Sequence, residues 1–209
     1  MYLSRVPLDE LKRKTQIAMV SPNKIHGAVE EAFLEKQDRN LWRIDRLGGK
    51  TYLLILSAEK PDLSGIAFQF GFADDCGETK EYNRLLERIE KGSVWHFRLA
   101  ANPVHSIKGG KKRGKVIAHA SEKYQLEWLN TQAEKRGFRI LPDAVQVMES
   151  NWKIFSKGNT NQKVRILEVA FEGMLCVENV DAFRDTLVNG IGREKAYGMG
   201  MLTIVRAGV

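Results

Sequence analysis

The chain is poor in cysteine, in histidine and in long apolar runs, and each shortage excludes a class of protein. Its two cysteines, Cys76 and Cys176, are too few and too far apart for a disulfide framework or a zinc site. No apolar stretch is long enough to span a bilayer, and no secretory signal is recognisable, so a cytoplasmic protein with no membrane partner is expected. The four histidines, His26, His96, His105 and His119, do not repeat at metal-ligand spacing, and no cluster of carboxylates accompanies them. Neither a metal nor another cofactor is expected.

Acid is missing from two windows. Between Glu90 and Glu122 stand Lys91, Arg98, Lys108, Lys111, Lys112, Arg113 and Lys115, with no Asp or Glu among them. Between Glu149 and Glu168 stand Lys153, Lys157, Lys163 and Arg165, again without an acid. A solvated lysine face normally interleaves both signs, so one-signed windows point to a polyanionic partner. The formal charge of +7 is distributed in the same way. Residues 1–92 hold 15 Lys/Arg against 15 Asp/Glu, and residues 93–209 hold 18 against 11.

Glycine is concentrated near the end. Gly190, Gly192, Gly198 and Gly200 enclose Arg193, Glu194, Lys195 and Tyr197, just before the apolar Met201–Val205. Glycines let a backbone approach a ligand and offer its N–H groups to an anion such as RNA. They serve a tight helix-to-strand connection equally well. The segment lacks the dinucleotide pattern, because it follows a helix and enters a strand. A second run, Gly109-Gly110-Lys111-Lys112-Arg113-Gly114-Lys115, nearly spells a phosphate-binding loop. The next residue is Val116, where magnesium binding needs a hydroxyl and a helix must open. Nucleotide binding is excluded, and a flexible basic loop that tracks phosphates is expected.

The order of elements is regular. Met1–Val6 reads as a strand, and Ser21-Pro22 caps a helix that carries Ile25, Ala28, Val29, Ala32 and Phe33 to about Lys36. Leu41–Leu47 and Thr51–Ser57 form a hairpin about Gly48-Gly49-Lys50. Residues 62–92 are mixed, with room for a short helix. Val94–Leu99 is an alternating strand, and Ser121 opens a helix with Tyr124, Leu126, Trp128, Leu129 and Ala133, closed by Gly137. Val164–Phe171 and Met174–Val177 are expected as paired strands about Glu172-Gly173. Val180, Phe183 and Leu187 mark a last helix before Gly190, and Met201–Val205 a last strand. This predicts an α+β chain of two tandem ferredoxin-like (βαββαβ) domains, 1–91 and 92–209. No sequence repeat supports the duplication, which rests on element order alone.

Among the histidines, His26 stands apart. Val29 and Phe33 follow three and seven residues on, which sets it at the edge of the buried helix face, and Glu30 is one turn later. On these residues alone, a half-buried histidine packed on Phe33 is the favoured reading.

Several segments together resemble the CRISPR-associated CasE endoribonucleases, the precursor-RNA processing enzymes of type I-E systems. They are Met1-Tyr2-Leu3-Ser4-Arg5-Val6; Phe97-Arg98-Leu99-Ala100-Ala101-Asn102-Pro103, similar to an FRLRANP-type signature with Ala100 where a cation is common; Phe171-Glu172-Gly173; and the two glycine pairs, Gly190-Ile191-Gly192 and Gly198-Met199-Gly200. The resemblance implies two ferredoxin-like domains and metal-free cleavage of a CRISPR repeat beside its stem-loop. It also implies retention of the product within a surveillance complex of further subunits. The family histidine lies in the first helix, seven residues before a phenylalanine, which raises His26 to the first candidate. Some members carry a tyrosine three residues before that histidine; Asn23 stands here.

The expected chemistry is attack by the 2′-hydroxyl on the adjacent phosphate, leaving a 2′,3′-cyclic phosphate and a 5′-hydroxyl. His26 would act as general base or general acid. Lys163 and Arg165 are expected on alternate faces of one strand, so that one of them reaches the phosphate. The cations expected to bind RNA are Arg98, Lys108, Lys111, Lys112, Arg113, Lys115, Lys157, Arg193 and Lys195. A non-catalytic RNA-binding scaffold would share this surface but give His26 no role. A metal-dependent nuclease would need a carboxylate cluster that the chain lacks.

Overall fold

The computed structural model of the protein describes residues 1–35, 40–107, 115–156 and 162–207. Short-period alternation builds the strands, and helices cover one face of each sheet. The first half runs β1 (Tyr2–Pro7), α1 (Arg13–Val20), α2 (Pro22–Glu31), β2 (Leu41–Leu47), β3 (Lys50–Ser57), α3 (Ser64–Phe70) and β4 (Glu78–Glu81). Its sheet has the order β2-β3-β1-β4, antiparallel throughout. After α4 (Asn83–Glu87), the second half runs β5 (Val94–Ala101), β6 (Val104–Ile107), β7 (Lys115–Ala118), α5 (Glu122–Glu134), β8 (Phe138–Ser156), β9 (Lys163–Val177), α6 (Val180–Asn189), a 3₁₀ turn (Lys195–Tyr197) and β10 (Leu202–Arg206). Its sheet has the order β10-β5-β9-β8. With each half counted from its own first strand, both orders are 4-1-3-2, so the chain is two ferredoxin-like units in tandem. The hairpin β6–β7 is an insertion into the second unit, between its first strand and first helix. No described helix is long and apolar enough to cross a membrane.

The structure departs from the expected elements in four places. The helix opened by Pro22 stops at Glu31 rather than near Lys36. A further helix, α1, precedes it. That helix buries only Thr15 and Ala18 and leaves Ile17 and Val20 exposed, so its sequence carries no apolar stripe. Glu172-Gly173 is no hairpin, because β9 passes through it as one continuous strand. Gly173 is needed there since a Cβ would lie 2.2 Å from the carbonyl oxygen of Ala144 on the neighbouring strand. That neighbour, β8, is long and mostly exposed, and its register slips between Ile140 and Val145 around Pro142 and a left-handed Asp143 (φ 54°).

One apolar cluster fills the space beneath α1, α2 and α3, with Val6, Ile25, Val29, Leu53, Ile55 and Phe70 at its centre. A larger cluster belongs to both halves. It joins Leu41, Leu54 and Leu56 of the first sheet to Phe97, Leu99, Phe171, Leu202 and Ile204 of the second and to Phe183 and Leu187 of α6. The connection between the halves is clamped from the far side, where the Arg184 guanidinium donates to the carbonyls of Leu86 and Ile89. A buried ion pair completes the seam. Arg43 and Asp45, each about 3 % exposed, pair at 2.6 Å, and Arg43 donates onward to the carbonyls of Met201 and Arg98 and to the Thr203 hydroxyl.

Candidate functional site

His26 lies in the second turn of α2, a helix started by Pro22 at its first position without a capping side chain. The helix buries Ile25, Ala28 and Val29, so His26 falls at the margin of that face and is 38 % exposed. Its Nδ1 is shut off from solvent and faces the Glu30 carboxylate at 3.9 Å, too far for a hydrogen bond. The accessible part of the ring is therefore its Nε2 edge. Asn23, one turn back, has a buried and unpartnered side-chain oxygen.

The glycine-rich segment leaves α6 and returns along α2. Its 3₁₀ turn, Lys195–Tyr197, packs against α2 and β2. The glycines are required by this path. At Gly198 (φ 82°) a Cβ would lie 2.6 Å from the Trp42 ring. Ile191 N–H donates to the Gly200 carbonyl at 2.8 Å, and Gly200 N–H to that of Ala100 at 2.7 Å, which ties the segment to itself and to β5. What the segment presents outward is Arg193, which is exposed, with Glu194 beside it in a left-handed conformation (φ 62°). Lys195 is half-buried within the turn. Burial, then the Glu194 charge, raises the pKa of Tyr197, which stays a phenol while its ring meets Phe155 edge-on at 4.9 Å.

Lys163 and Arg165 do not lie on alternate faces. Two residues apart on β9, they share one, and both are exposed. Val164 and Ile166 occupy the other face and pack with Phe155, Met199 and Tyr197. Lys163 and Arg165 thus project away from the residues through which β9 meets the glycine segment. Arg165 stacks its guanidinium 4.2 Å above the Trp152 ring. It joins Lys115 and Arg193 around a groove of 580 Å³, bordered also by Asn102 and Glu194. Lys108, Lys111, Lys112, Arg113 and Lys157 lie outside the described residues.

Two other cations of the acid-free windows are already matched. Arg98 meets Asp45 at 3.2 Å and also pairs with Glu172, so its charge is used at the seam between the halves and it does not join the groove. Lys153 pairs with Glu168 at 2.7 Å. Among the described residues, Lys115, Lys163, Arg165 and Arg193 have no ion-pair partner. At the foot of the β6–β7 hairpin, the His105 and His119 rings lie tilted against each other with centres 4.6 Å apart, and Tyr124 follows at 5.9 Å from His119. Partial burial, then the neighbouring His105, lowers the pKa of His119, against a smaller opposing pull from Glu127. Among the described residues, no three His, Cys, Asp or Glu side chains gather to hold a metal ion.

Three residues that line the groove, Asn102, Trp152 and Glu194, are not among the candidates the sequence offers. For Trp152 a signal existed, an aromatic ring inside an acid-free basic window. Asn102 was in view only as part of a motif, and Glu194 only as the acid between two cations.

Three comparisons bear on this arrangement. Residues 1–206 match the family described as CRISPR associated protein. The CRISPR-associated endoribonuclease Cse3 of Thermus thermophilus is 27% identical over 218 residues, covering 98% of this chain and 99% of that protein. The CRISPR system Cascade subunit CasE of Escherichia coli (strain K12) is 28% identical over 125 residues, 56% of this chain and 60% of that one. A solved structure of the endoribonuclease Cse3 bound to 19 nt RNA superposes with a TM-score of 0.81 at 23% identity, over 98% of this chain and 100% of that one. A family match over nearly the whole sequence, on a doubled 4-1-3-2 sheet that a solved relative shares, establishes that the chain belongs to the CRISPR-associated CasE family.

Proposed function

We propose that the chain is an endoribonuclease that cuts CRISPR precursor RNA beside the stem-loop of its repeat, without a metal. It leaves 2′,3′-cyclic phosphate and 5′-hydroxyl ends and stays with the mature RNA among the other subunits of a type I-E surveillance complex. In this reading residues 1–91 form the unit carrying the catalytic histidine, and residues 92–209 the unit carrying the basic surface. The relatives named for endoribonuclease activity, for bound RNA and for Cascade support the substrate and the assembly.

The observation that carries the catalytic part is His26, with Nδ1 enclosed against Glu30 and the Nε2 edge accessible. A ring held in that way has one nitrogen available to a substrate proton. In RNA self-cleavage the 2′-hydroxyl attacks the neighbouring phosphorus, its proton leaves, and the departing 5′-oxygen takes one up. His26 moves one of these protons through Nε2. Extra negative charge on the phosphate has to be offset by cations; Lys163 and Arg165 face away from the glycine segment that packs on α2, so they are placed along the bound RNA and not at the phosphate beside His26. Asn23 takes no proton-donating part.

The test is cleavage of an end-labelled repeat stem-loop in excess EDTA by wild type and by His26→Ala. Wild type is expected to cut, and the variant to bind with similar affinity but cut about a hundred- to ten-thousand-fold more slowly. Normal cutting by His26→Ala would remove the histidine from the mechanism. Binding without cutting by wild type would favour a non-catalytic scaffold.

A further inference from the structure

Two protons move in the cleavage described above, and the side of the His26 ring turned away from the substrate decides which of them the ring handles. Nδ1 is closed to solvent and has no hydrogen-bond partner among the described residues. The Glu30 carboxylate, one turn on along α2, faces it at 3.9 Å. A neutral imidazole carries a single proton, on either nitrogen. Placed on Nε2, that proton leaves the Nδ1 lone pair aimed at a carboxylate with no water between them, which is repulsive. Placed on Nδ1, it turns an N–H dipole toward the same carboxylate, which is attractive at this distance and becomes a charge-assisted hydrogen bond if the gap closes. Both side chains are more than a third exposed, so the core does not lock either of them and a side-chain rotation can close it. Such contacts are commonly long before substrate binds. Glu30 also stands off the buried face of α2, which is made by Pro22, Ile25, Ala28 and Val29, so its carboxylate can be changed without opening the core.

We infer that Glu30 is a positioning residue for His26: its carboxylate keeps the proton of the neutral ring on Nδ1, leaves the Nε2 lone pair open to the substrate, and so makes His26 the base that takes the 2′-hydroxyl proton. The inference rests on the RNA-cutting reading above and deepens it. In the step, the 2′-hydroxyl proton passes to Nε2 and the 2′-oxygen bonds to phosphorus. The bond from phosphorus to the 5′-oxygen breaks, and that oxygen takes a proton from water. The ring is then an imidazolium with a proton on each nitrogen. Its positive charge lies beside the Glu30 carboxylate, a stronger attraction than the neutral ring feels. Glu30 therefore favours the charge that develops during reaction over the state before it, without touching the RNA.

The experiment compares the full chain with Glu30→Ala, Glu30→Gln and His26→Ala. Long-range proton–nitrogen NMR spectra of the neutral imidazoles tell the two tautomers apart. They are expected to show His26 protonated at Nδ1 in wild type and mainly at Nε2 in Glu30→Ala. Single-turnover cleavage of the repeat stem-loop by Glu30→Ala is expected to slow on the order of tenfold or more, with RNA affinity and Tm unchanged. In Glu30→Gln the amide oxygen can still accept from Nδ1, so the wild-type tautomer and part of the rate should return. A wild-type ring protonated at Nε2, a full cleavage rate in Glu30→Ala, or a slower rate without a change of tautomer overturns the inference. So does a loss of RNA affinity in place of rate, which would make Glu30 a binding residue. An inactive His26→Ala beside a fully active Glu30→Ala removes Glu30 alone, whereas normal cutting by His26→Ala removes the catalytic reading with it.

Discussion

At the scale of the residue, His119 is a histidine kept neutral by its surroundings. Desolvation first, and the His105 ring second, oppose its charging, so its pKa lies below the usual 6.5. The sign follows from linkage. The unfolded chain takes up the proton more readily, so the stability His119 contributes is present above that value and falls as pH drops through the depressed one. An NMR titration of the imidazoles is expected to show His119 titrating below 6.5 and moving up in His105→Ala; an unmoved value would mean that the two rings are not coupled. His26 differs because its environment was readable. A Ser-Pro helix start and the spacing to Val29 and Phe33 fixed its margin position, and the resemblance singled it out. Asn102 was not readable in this sense. Its side-chain oxygen, like those of Asn23 and Gln125, finds no partner after the chain has folded, and no local pattern encodes a missing partner.

At the scale of the element, the glycine-rich segment is a fitted connector. Gly198→Ala would set a methyl group against the Trp42 ring at a φ of 82°, a conformation that side chains resist. The substitution is expected to destabilise by about 1–3 kcal/mol in chemical denaturation. A loss well below that would show that the turn yields without cost. The same comparison shows which elements local sequence encodes. Hairpin β2–β3 is announced by Gly48-Gly49 between apolar runs, and α5 and α6 by their spacing and closing glycines. Helix α1 and strand β8 are not, because one exposes its apolar residues and the other is interrupted by Pro142 and Asp143. A glycine after Glu172 resembles a turn, so local sequence divides β9 at Gly173. Its real cause is the close passage of Ala144, a tertiary contact invisible along the chain.

At the scale of the whole molecule, charge and core follow different divisions. Charge separates the halves, neutral then basic, and that was legible from counting. The core does not separate them, since Leu41, Leu54 and Leu56 pack in one cluster with Phe97, Leu202 and Ile204. The seam's ion pair is expected to matter for stability. Asp45→Ala strands Arg43, and leaves Arg98 with Glu172 alone, so a loss of about 3–5 kcal/mol is expected in urea denaturation, as one transition rather than two. Two separate transitions would show that the units fold independently. The duplicated 4-1-3-2 order was legible only as a sequence of elements; two units can share a fold without sharing residues, because the fold needs the alternation and the turns and not particular side chains.

The shared core has one more consequence. A protein with a hinge between its halves can adjust its grip, but one whose halves are joined through buried leucines and phenylalanines cannot. The span from His26 on one half to the groove on the other is then set once, by folding, as the gap of a fixed gauge is set when it is made. If the proposed function holds, such a gauge would not close on its substrate: it would accept an RNA whose own geometry matches the gap, and a shift of one nucleotide between stem and scissile bond is expected to slow cutting.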